Sequence, residues 1–345
     1  MFKSLIRETL DRLEQAVFPA FSSWAPLTRL YYGLLVPRFA REQFAVISGR
    51  RLHARGQSTA RHSALRRCIH RLEKGLVMRP RAPIFGEDYI LQTVQLFNEL
   101  TAAPEADQTE LRWANDVLTE YFEAVEESDT VAAAHAQFTR AERQVELTQP
   151  PLVPYPRAAG ERADVSFDLL LSLYKQRRSV RWFFDRPIEI EKIQSAISAA
   201  SLAPSACNRQ PYLFRYFDNR KEAAEIASIA MGTAGYAQQI PALIVVLGDF
   251  SSFEHERDRH LPYIDGSLAA MQFMLALETL GLSSCAINWP DIEARERRMA
   301  RALDLPNHIR PLMLIAVGYA DPAGGIPFSA KKTADALLRT INDYR

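Results

Sequence analysis

The chain has 345 residues, of which 48% are hydrophobic and 10% aromatic, and its formal net charge is +1. This length exceeds that of a typical single domain, so we expect two structural units. The apolar content is ample for packed cores and excludes a chain that is disordered throughout. Cys68, Cys207 and Cys285 stand far apart, which excludes a disulfide framework and a zinc-ligand spacing and favours a reducing compartment.

The sequence also restricts where the protein acts. No apolar run reaches the ~18 residues of a membrane-spanning helix. Residues 1–13 alternate charged and apolar side chains, unlike the continuous apolar core of a signal peptide. The seven histidines show no metal-binding spacing, and no pattern indicates a nucleic-acid partner. We therefore expect a cytoplasmic protein, with peripheral contact at the inner face of the membrane as an open alternative.

The N-terminal half carries two charge blocks of opposite sign. Residues 1–81 contain 16 basic and 5 acidic side chains, whereas residues 82–150 contain 3 basic and 14 acidic ones. One interpretation is that helices of the two blocks pack with their charged faces together. The other is that residues 1–81 bind an anionic membrane surface through the aromatic segment 18–35 and its flanking arginines. Both interpretations stay open at this point.

Hydrophobic periodicity predicts an all-helical N-terminal domain over residues 1–150. Apolar residues recur at helical spacing in 2–17, 60–77, 88–101, 108–127 and 131–146. A proline-rich linker at 151–163 follows, and its extended composition marks a domain boundary. Residues 164–345 then form the second predicted domain.

Helical and strand patterns alternate in this second domain, which predicts an α+β fold. Helices are expected at 167–176, 189–202, 220–231 and 265–280, the last with Asp265 as its N-cap. Strands are expected at 212–218, 242–247, 281–289 and 311–319, and Phe328–Lys332 is expected to open a final helix. The long helix 265–280 is apolar on nearly all sides, so we expect it at the centre of the domain or at a subunit interface.

Two stretches carry the residues needed to bind an anion and a flat ring. Arg177, Arg178, Ser179 and Arg181 lie within five residues, and arginine forks match phosphate geometry. The loop 203–211 is rich in small and amide side chains, so its backbone can approach a planar polar ring closely. A phosphate at one end and a planar heterocycle at the other describe flavin mononucleotide (FMN).

These motifs resemble the nitroreductase (flavin reductase-like) family. The resemblance rests on Arg177-Arg178-Ser179-Val180-Arg181, on the loop 204–211 and on the length of the helix between them, and it extends to about residue 342. It implies a mixed sheet flanked by helices, bound FMN and NAD(P)H as the electron donor. It also implies a homodimer whose active sites lie at the subunit interface. The resemblance does not specify the electron acceptor.

The resemblance further implies roles for individual residues. The flavin phosphate and ribityl chain would be held by Arg177, Ser179, Lys331 and Lys332, with Arg178 beside them. Arg181 would lie over the pyrimidine edge, where its charge stabilises the negative charge of the reduced flavin. The ring would be contacted from the neighbouring subunit by Pro204, Ser205, Ala206, Asn208 and Gln210. Backbone amides near the reactive N5 edge would come from Ala286, Ile287 and Asn288.

A short motif in the helical half, residues 70–76, is similar to a segment of nitroreductase-like proteins associated with bacterial surface-polysaccharide genes. His70 and Glu73 in this motif share a helix face, so they could transfer protons or form a structural contact. The motif supports a second functional hypothesis. In that hypothesis the chain is an accessory protein of envelope polysaccharide assembly, docked on a membrane or a partner, with little or no redox activity.

Overall fold

The structure is a computed structural model of the 345-residue chain. It describes residues 19, 21, 24–36, 38–56, 58–104, 107–140 and 150–338. The predicted helix 2–17 and the C-terminal end of the predicted helix 131–146 lie outside the described residues.

The N-terminal half of the described chain is helical, as predicted. Its α-helices are Ala25–Leu30 (α1), Ala40–Ala54 (α2), Ser58–Leu76 (α3), Ile90–Thr101 (α4), Gln108–Ala124 (α5) and Asp129–Arg140 (α6). Asp107 caps α5, because its side chain accepts from the backbone N–H groups of Thr109 and Glu110. The apolar stripes of α3 to α6 meet in one core around Leu65, Phe97 and Tyr121.

The basic helix α3 pairs with acidic residues of the following block. Arg66 donates to Glu110 at 2.9 Å, and Arg71 donates to Asp88 at 3.0 Å. The charged faces of α3 and α5 therefore pack together, as the first interpretation of the charge blocks expects. Contact of the other basic residues with a membrane stays a prediction. Within the described ranges, no helix combines the length and the apolar character needed to cross a membrane.

The C-terminal half combines helices with one sheet. Its α-helices are Phe167–Gln176 (α7), Ile190–Ala200 (α8), Arg220–Ala227 (α9), Leu261–Thr279 (α10), Glu293–Ala302 (α11) and Ala334–Leu337 (α12). Its strands are Tyr212–Phe217 (β1), Ala242–Asp249 (β2), Ser283–Asn288 (β3) and Ile309–Gly318 (β4). Helix α11 was not predicted, because it is so polar that Met299 is its one buried apolar side chain.

The sheet has the strand order β1-β2-β4-β3, and each neighbouring pair is antiparallel. Strand β2 is buried along its whole length, so its side chains alternate between two apolar layers. Val245 packs in one layer with Leu314, and Val246 packs in the other layer with Phe273 of α10. Helices thus cover both faces of the sheet, which confirms the predicted α+β class.

Helix α10 begins earlier than the sequence suggested. It starts at Leu261 with Pro262 in its first turn, where the missing N–H of proline has no cost. Asp265 therefore lies inside the helix and is buried, so the prediction that it caps the helix is wrong. The final helix begins later than predicted. Thr333 caps α12, and Phe328–Lys332 precede it without regular structure.

The helical half packs directly against the sheet half through α2 and α3. An added Cβ on Gly49 of α2 would lie 2.5 Å from the backbone carbonyl carbon and oxygen of Phe250. The Ser63 Oγ of α3 donates to the Ser252 Oγ at 2.9 Å. Both contacts fall on the segment that follows β2, so this segment joins the two halves.

We predict that Gly49→Ala lowers the free energy of unfolding by about 1–3 kcal/mol, because the new methyl group overlaps the backbone of Phe250. Urea unfolding followed by tryptophan fluorescence measures this change. Gly232→Ala is the matched control, since an added Cβ there meets nothing within 4 Å. The control is expected to stay within about 0.5 kcal/mol of the wild type. Equal stabilities for the two variants would show that α2 does not pack on this segment.

Candidate functional site

The loop from Pro204 to Pro211 carries a cluster of unusual backbone conformations. Cys207, Asn208 and Gln210 have φ values of 53°, 52° and 51°. Residues other than glycine rarely adopt this left-handed conformation, which costs about 1–3 kcal/mol at each position. Such conformations persist where the surrounding structure enforces them, and they concentrate at functional sites.

Hydrogen bonds hold this loop in its conformation. The backbone N–H of Gln210 donates to the Ser205 Oγ at 3.1 Å, and the Gln210 Nε2 donates to the Asn208 Oδ1 at 3.0 Å. The backbone N–H of Ala206 donates to the Asp265 Oδ2 of α10 at 3.0 Å. Burial raises the pKa of the Asp265 carboxyl. This buried acid anchors the loop, a role that no local sequence signal indicates.

The basic cluster Arg177–Arg181 runs along the edge of the sheet. Ser179 forms a parallel bridge with Ser284 of β3, and the Val180 N–H donates to the Ser284 carbonyl at 3.0 Å. The Arg178 Nη2 donates to the carbonyl oxygen of Pro327 at 2.8 Å and also to that of Phe328. Arg178 thereby ties the basic cluster to the segment that carries Lys331 and Lys332.

The remaining predicted residues lie on β3 and in the segment before α12. Ala286 and Asn288 are exposed, whereas the Ile287 side chain is buried in the core. Strand β3 is at the edge of the sheet, so one side of its backbone has no neighbouring strand of the sheet. Lys331 and Lys332 are exposed. The edge of β3 therefore presents backbone groups that a ligand can reach.

Burial controls the charge of two groups near the basic cluster. The Arg181 guanidinium lies 5.7 Å from the centre of the Tyr236 ring, and burial raises the pKa of Tyr236 to about 12. Tyr236 is therefore neutral at physiological pH. Burial also raises the pKa of Glu278 on α10, and a hydrogen bond from Gln176 and then the positive charge of Arg177 oppose that increase. Sequence analysis missed both Tyr236 and Glu278, because only the fold brings them to the cluster.

Two buried polar atoms at or beside the basic cluster lack hydrogen-bond partners among the described residues. The Arg177 Nε and the Ser284 Oγ are buried and have no hydrogen-bond partner among the described residues. An unsatisfied buried donor costs about 1–3 kcal/mol, so these two atoms can accommodate a group that the described residues do not supply. A phosphate, whose oxygens accept several hydrogen bonds, fits these donors and the neighbouring Ser179.

The loop 204–210 is not joined to the basic cluster within one chain. Across the ranges that the structure describes, no hydrogen bond, ion pair or ring contact connects the loop with Arg177–Arg181 or with Lys331 and Lys332. One chain brings together the basic cluster, β3 and the segment 327–332. The loop is instead held by α10, and α3 of the helical half packs beside it.

The motif at 70–76 makes structural contacts. The His70 Nδ1 lies 3.2 Å from the Glu73 Oε2, and the Trp113 Nε1 donates to the Glu73 Oε1 at 2.9 Å. A Cβ on Gly75 would overlap the ring of Phe85. These residues connect α3 with α5 and with the segment before α4. The contacts favour the structural interpretation of His70 and Glu73 over proton transfer.

Comparison with known proteins finds relatives of the C-terminal half. The model of the Nitroreductase family matches residues 174–240 and 227–319. A protein of Archaeoglobus fulgidus named "Putative NADH dehydrogenase/NAD(P)H nitroreductase" is 31% identical over 155 residues, covering 43% of this chain and 84% of the relative. The FMN reductase (NADPH) of Bacillus subtilis is 25% identical over 193 residues, covering 48% of this chain and 76% of the relative.

A solved structure is similar over the same half. The crystal structure of a protein of Parabacteroides distasonis with the same name as the Archaeoglobus relative is 30% identical and has a TM-score of 0.43. The similarity covers 50% of this chain and 96% of that chain. On the strength of the family match and the Archaeoglobus relative, the chain belongs to the nitroreductase family. This confirms the resemblance stated from the motifs.

We predict that Asp265→Asn changes the pH dependence of stability. Burial raises the carboxyl pKa of Asp265 in the folded protein above its unfolded value of about 3.9. On acidification the folded wild type therefore becomes protonated at this carboxyl at a higher pH than the unfolded chain does. The wild type should therefore gain stability relative to the variant as the pH falls through the raised pKa. At pH 7 the neutral Asp265→Asn variant should unfold at the same urea concentration as the wild type or at a higher one.

Asp265→Ala serves as the comparison variant, because it removes the acceptor for the Ala206 N–H. It should be less stable than Asp265→Asn by about 1–3 kcal/mol at every pH. Urea unfolding between pH 4 and pH 8 measures both variants. A wild type that loses stability relative to Asp265→Asn on acidification would contradict the assigned burial.

Proposed function

We propose that the protein is an FMN-dependent oxidoreductase of the nitroreductase type that takes electrons from NAD(P)H. The observation that carries the proposal is the junction made by Arg178, which brings the segment of Lys331 and Lys332 to the cluster Arg177–Arg181. Arg177 belongs to this cluster and Ser284 bridges to Ser179 of it, and each has a buried polar atom without a hydrogen-bond partner among the described residues. Membership of the family and the similarity to an FMN reductase (NADPH) support the cofactor and the donor.

The residues of the chain would bind and orient the flavin, and the bound flavin would supply the redox chemistry. Arg177, Ser179, Lys331 and Lys332 would hold its phosphate and ribityl chain. Arg178 would act indirectly, by positioning the segment of Lys331 and Lys332 through its hydrogen bonds to the carbonyls of Pro327 and Phe328. The charge of Arg181 would stabilise negative charge at the pyrimidine edge. The edge of β3, from Ala286 to Asn288, would offer backbone amides to the reactive side of the ring.

The proposal requires a homodimer, because the loop 204–210 and the basic cluster belong to different parts of one chain. A partner's loop, with Pro204, Ser205, Ala206, Asn208 and Gln210, would then reach the flavin held by the cluster. The surface supports this arrangement. Ile264, Leu268 and Met271 form an exposed apolar stripe on α10, and Phe167 of the adjacent α7 is 74% exposed. Contiguous apolar surface of this kind is typical of protein interfaces.

We also propose the division into a helical domain (1–150), a linker (151–163) and a flavin-binding domain (164–345). Three of the four core clusters of the described residues support it, and the fourth, Ala45, Val46 and Phe250, lies where the two domains meet. One core draws only on residues between Leu65 and Phe138, and the two layers around the sheet draw only on residues between Val180 and Val317. The connecting segment 150–166 has no regular structure apart from the 3₁₀ turn Arg157–Ala159.

The second hypothesis is an accessory protein of envelope polysaccharide assembly that docks on an anionic membrane. One observation favours it: Trp24 and Leu34 are 62% and 74% exposed, beside the exposed Arg29. Aromatic and basic side chains together bind the interface of anionic bilayers. The two proposals differ in one simple property, because only the oxidoreductase requires a bound flavin.

We predict that the purified protein is yellow and that NAD(P)H bleaches it. The double variant Arg177→Glu and Lys331→Glu should bind FMN roughly 100-fold more weakly or worse, because two cations that would face the phosphate become anions. Absorbance in the flavin band and FMN titration measure the loss. Lys221→Glu, a reversal at an exposed lysine on α9, is the control and should keep the colour.

Full colour in the double variant would contradict the assigned phosphate site. A colourless wild type that sediments with anionic vesicles would favour the accessory role.

We predict that Leu268→Glu separates the dimer, because a carboxylate would be placed in the apolar stripe of α10. Sedimentation velocity should show a monomer, and the variant should lose FMN in parallel because each site needs the partner's loop. Leu91→Glu is the matched control, since Leu91 is an exposed leucine on α4 of the helical half. A variant that is monomeric yet retains FMN fully would contradict a site shared between subunits.

A further inference from the structure

A cavity of about 320 Å³ lies between the helical half and the sheet half. Helix α3 contributes His62, Ser63 and Arg66 to its wall, and the sheet half contributes Arg209, Tyr212 and Ser252. The hydrogen bond between Ser63 and Ser252 joins the two sides. The volume of the cavity is in the range of small-molecule binding sites. The basic cluster Arg177–Arg181 does not line this cavity, whereas Gln210 of the loop 204–210 does.

Arg209 in the wall of this cavity is a buried cation that forms no ion pair with the described residues. Its residue surface is 7% exposed, and its Nε has no hydrogen-bond partner among the described residues. Within the described part of the chain no carboxylate pairs with its guanidinium, whose recorded contact is with the ring of Phe253 at 4.8 Å. Burial lowers the pKa of Arg209, as expected for a charge removed from water.

Each acidic group in the cavity has at least one partner, although the Glu110 Oε1 is buried and has none among the described residues. The Glu110 Oε2 lies 3.1 Å from the His62 Nδ1 and accepts from Arg66 at 2.9 Å. Asp107 caps α5 and lies 3.7 Å from Arg66. The Asp249 Oδ1 accepts from the backbone N–H and the hydroxyl of Ser251. Each carboxylate thus has a donor, whereas Arg209 forms no ion pair with the described residues and interacts with Asp258 and Asp265 only at longer range.

A second polar group in the wall lacks a partner. The hydroxyl of Tyr212 is buried and makes no hydrogen bond with the described residues. A guanidinium and a phenol hydroxyl together offer the donors that a carboxylate or a phosphate accepts. A buried cation is strongly destabilising unless an anion pairs with it, so an anionic ligand would remove this penalty.

We propose that the cavity between α3 and the loop 204–211 binds a small carboxylate- or phosphate-bearing molecule whose anionic group pairs with Arg209 and Tyr212. The ligand contacts both halves of the chain, so its binding strengthens their interface. Arg209 lies between Asn208 and Gln210, both in the left-handed conformation, so the ligand also contacts the loop that the proposed function assigns to the flavin. The anion site stands on the cavity and Arg209, and it does not require the flavin.

The test is a titration of the full-length protein with sodium phosphate and with sodium malonate, at an ionic strength held constant with chloride. Isothermal calorimetry and the thermal unfolding midpoint report binding, and flavin absorbance is recorded on the same samples. The wild type should show saturable binding of at least one probe and a rise in the unfolding midpoint. The response to the two probes distinguishes a phosphate from a carboxylate ligand.

Arg209→Gln should weaken that binding by about 10- to 100-fold, because a charge-assisted hydrogen bond is lost. Without the probe this variant should be as stable as the wild type or more stable, since an unpaired buried charge is removed. Tyr212→Phe should weaken binding by a smaller factor, about 3- to 10-fold. Arg257→Gln, which removes an exposed arginine nearby, should bind as the wild type does.

Three results would overturn the proposal. The first is the absence of saturable binding of both probes by the wild type. The second is unchanged binding in Arg209→Gln, which would assign the probe to the phosphate site at Arg177. The third is parallel loss of flavin and of anion binding in Arg209→Gln, which would make Arg209 part of the flavin site. A wild type without flavin that still binds the anion through Arg209 would refute the proposed function and support this inference.

Discussion

The loop from Pro204 to Pro211 adopts a conformation that its own residues disfavour, and the rest of the fold supplies what keeps it there. Cys207, Asn208 and Gln210 all have positive φ, and none of them is glycine. A loop of this kind relaxes unless several neighbours restrain it. The restraints are the hydrogen bond from Ala206 to Asp265, the internal bonds of Ser205 and Gln210, and the packing of α3 beside the turn. The position of α10 and that of the helical half therefore both determine the loop.

Because α3 restrains the loop, the helical half contributes to the candidate site. Helix α3 packs beside the loop and pairs its Arg66 with Glu110 of α5. Its contacts with the segment after β2 hold it against the sheet half. A chain without α3 would leave a strained loop exposed on one side. The helical half is thus better understood as a wall of the loop than as a separate appendage.

Local patterns predicted the elements well because periodicity is a local property. The apolar stripe of residues 60–77 and the turn signals around the strands depend on neighbours within a few residues, and helices and strands form there. Asp265 was misassigned because an aspartate before an apolar run is typical of a cap, whereas Pro262 starts the helix earlier. The true partner of Asp265 is Ala206, which is distant in the sequence, and no local pattern specifies it.

The same reasoning separates the parts of the site that the sequence could predict from those that it could not. The basic cluster and the small-residue loop were visible because each chemistry is concentrated in a short stretch. Their junctions were not visible, since Arg178 reaches across the chain to Phe328.

Arg209 illustrates the limit most clearly. In the sequence it is one more arginine in a loop, and only the fold shows that it is buried against Phe253 without an ion pair among the described residues. Arg66 has the same side chain and lies in the same cavity, but its charge is neutralised by Glu110. The distinction between a structural and a ligand-binding arginine therefore depends on which carboxylates the fold has already engaged.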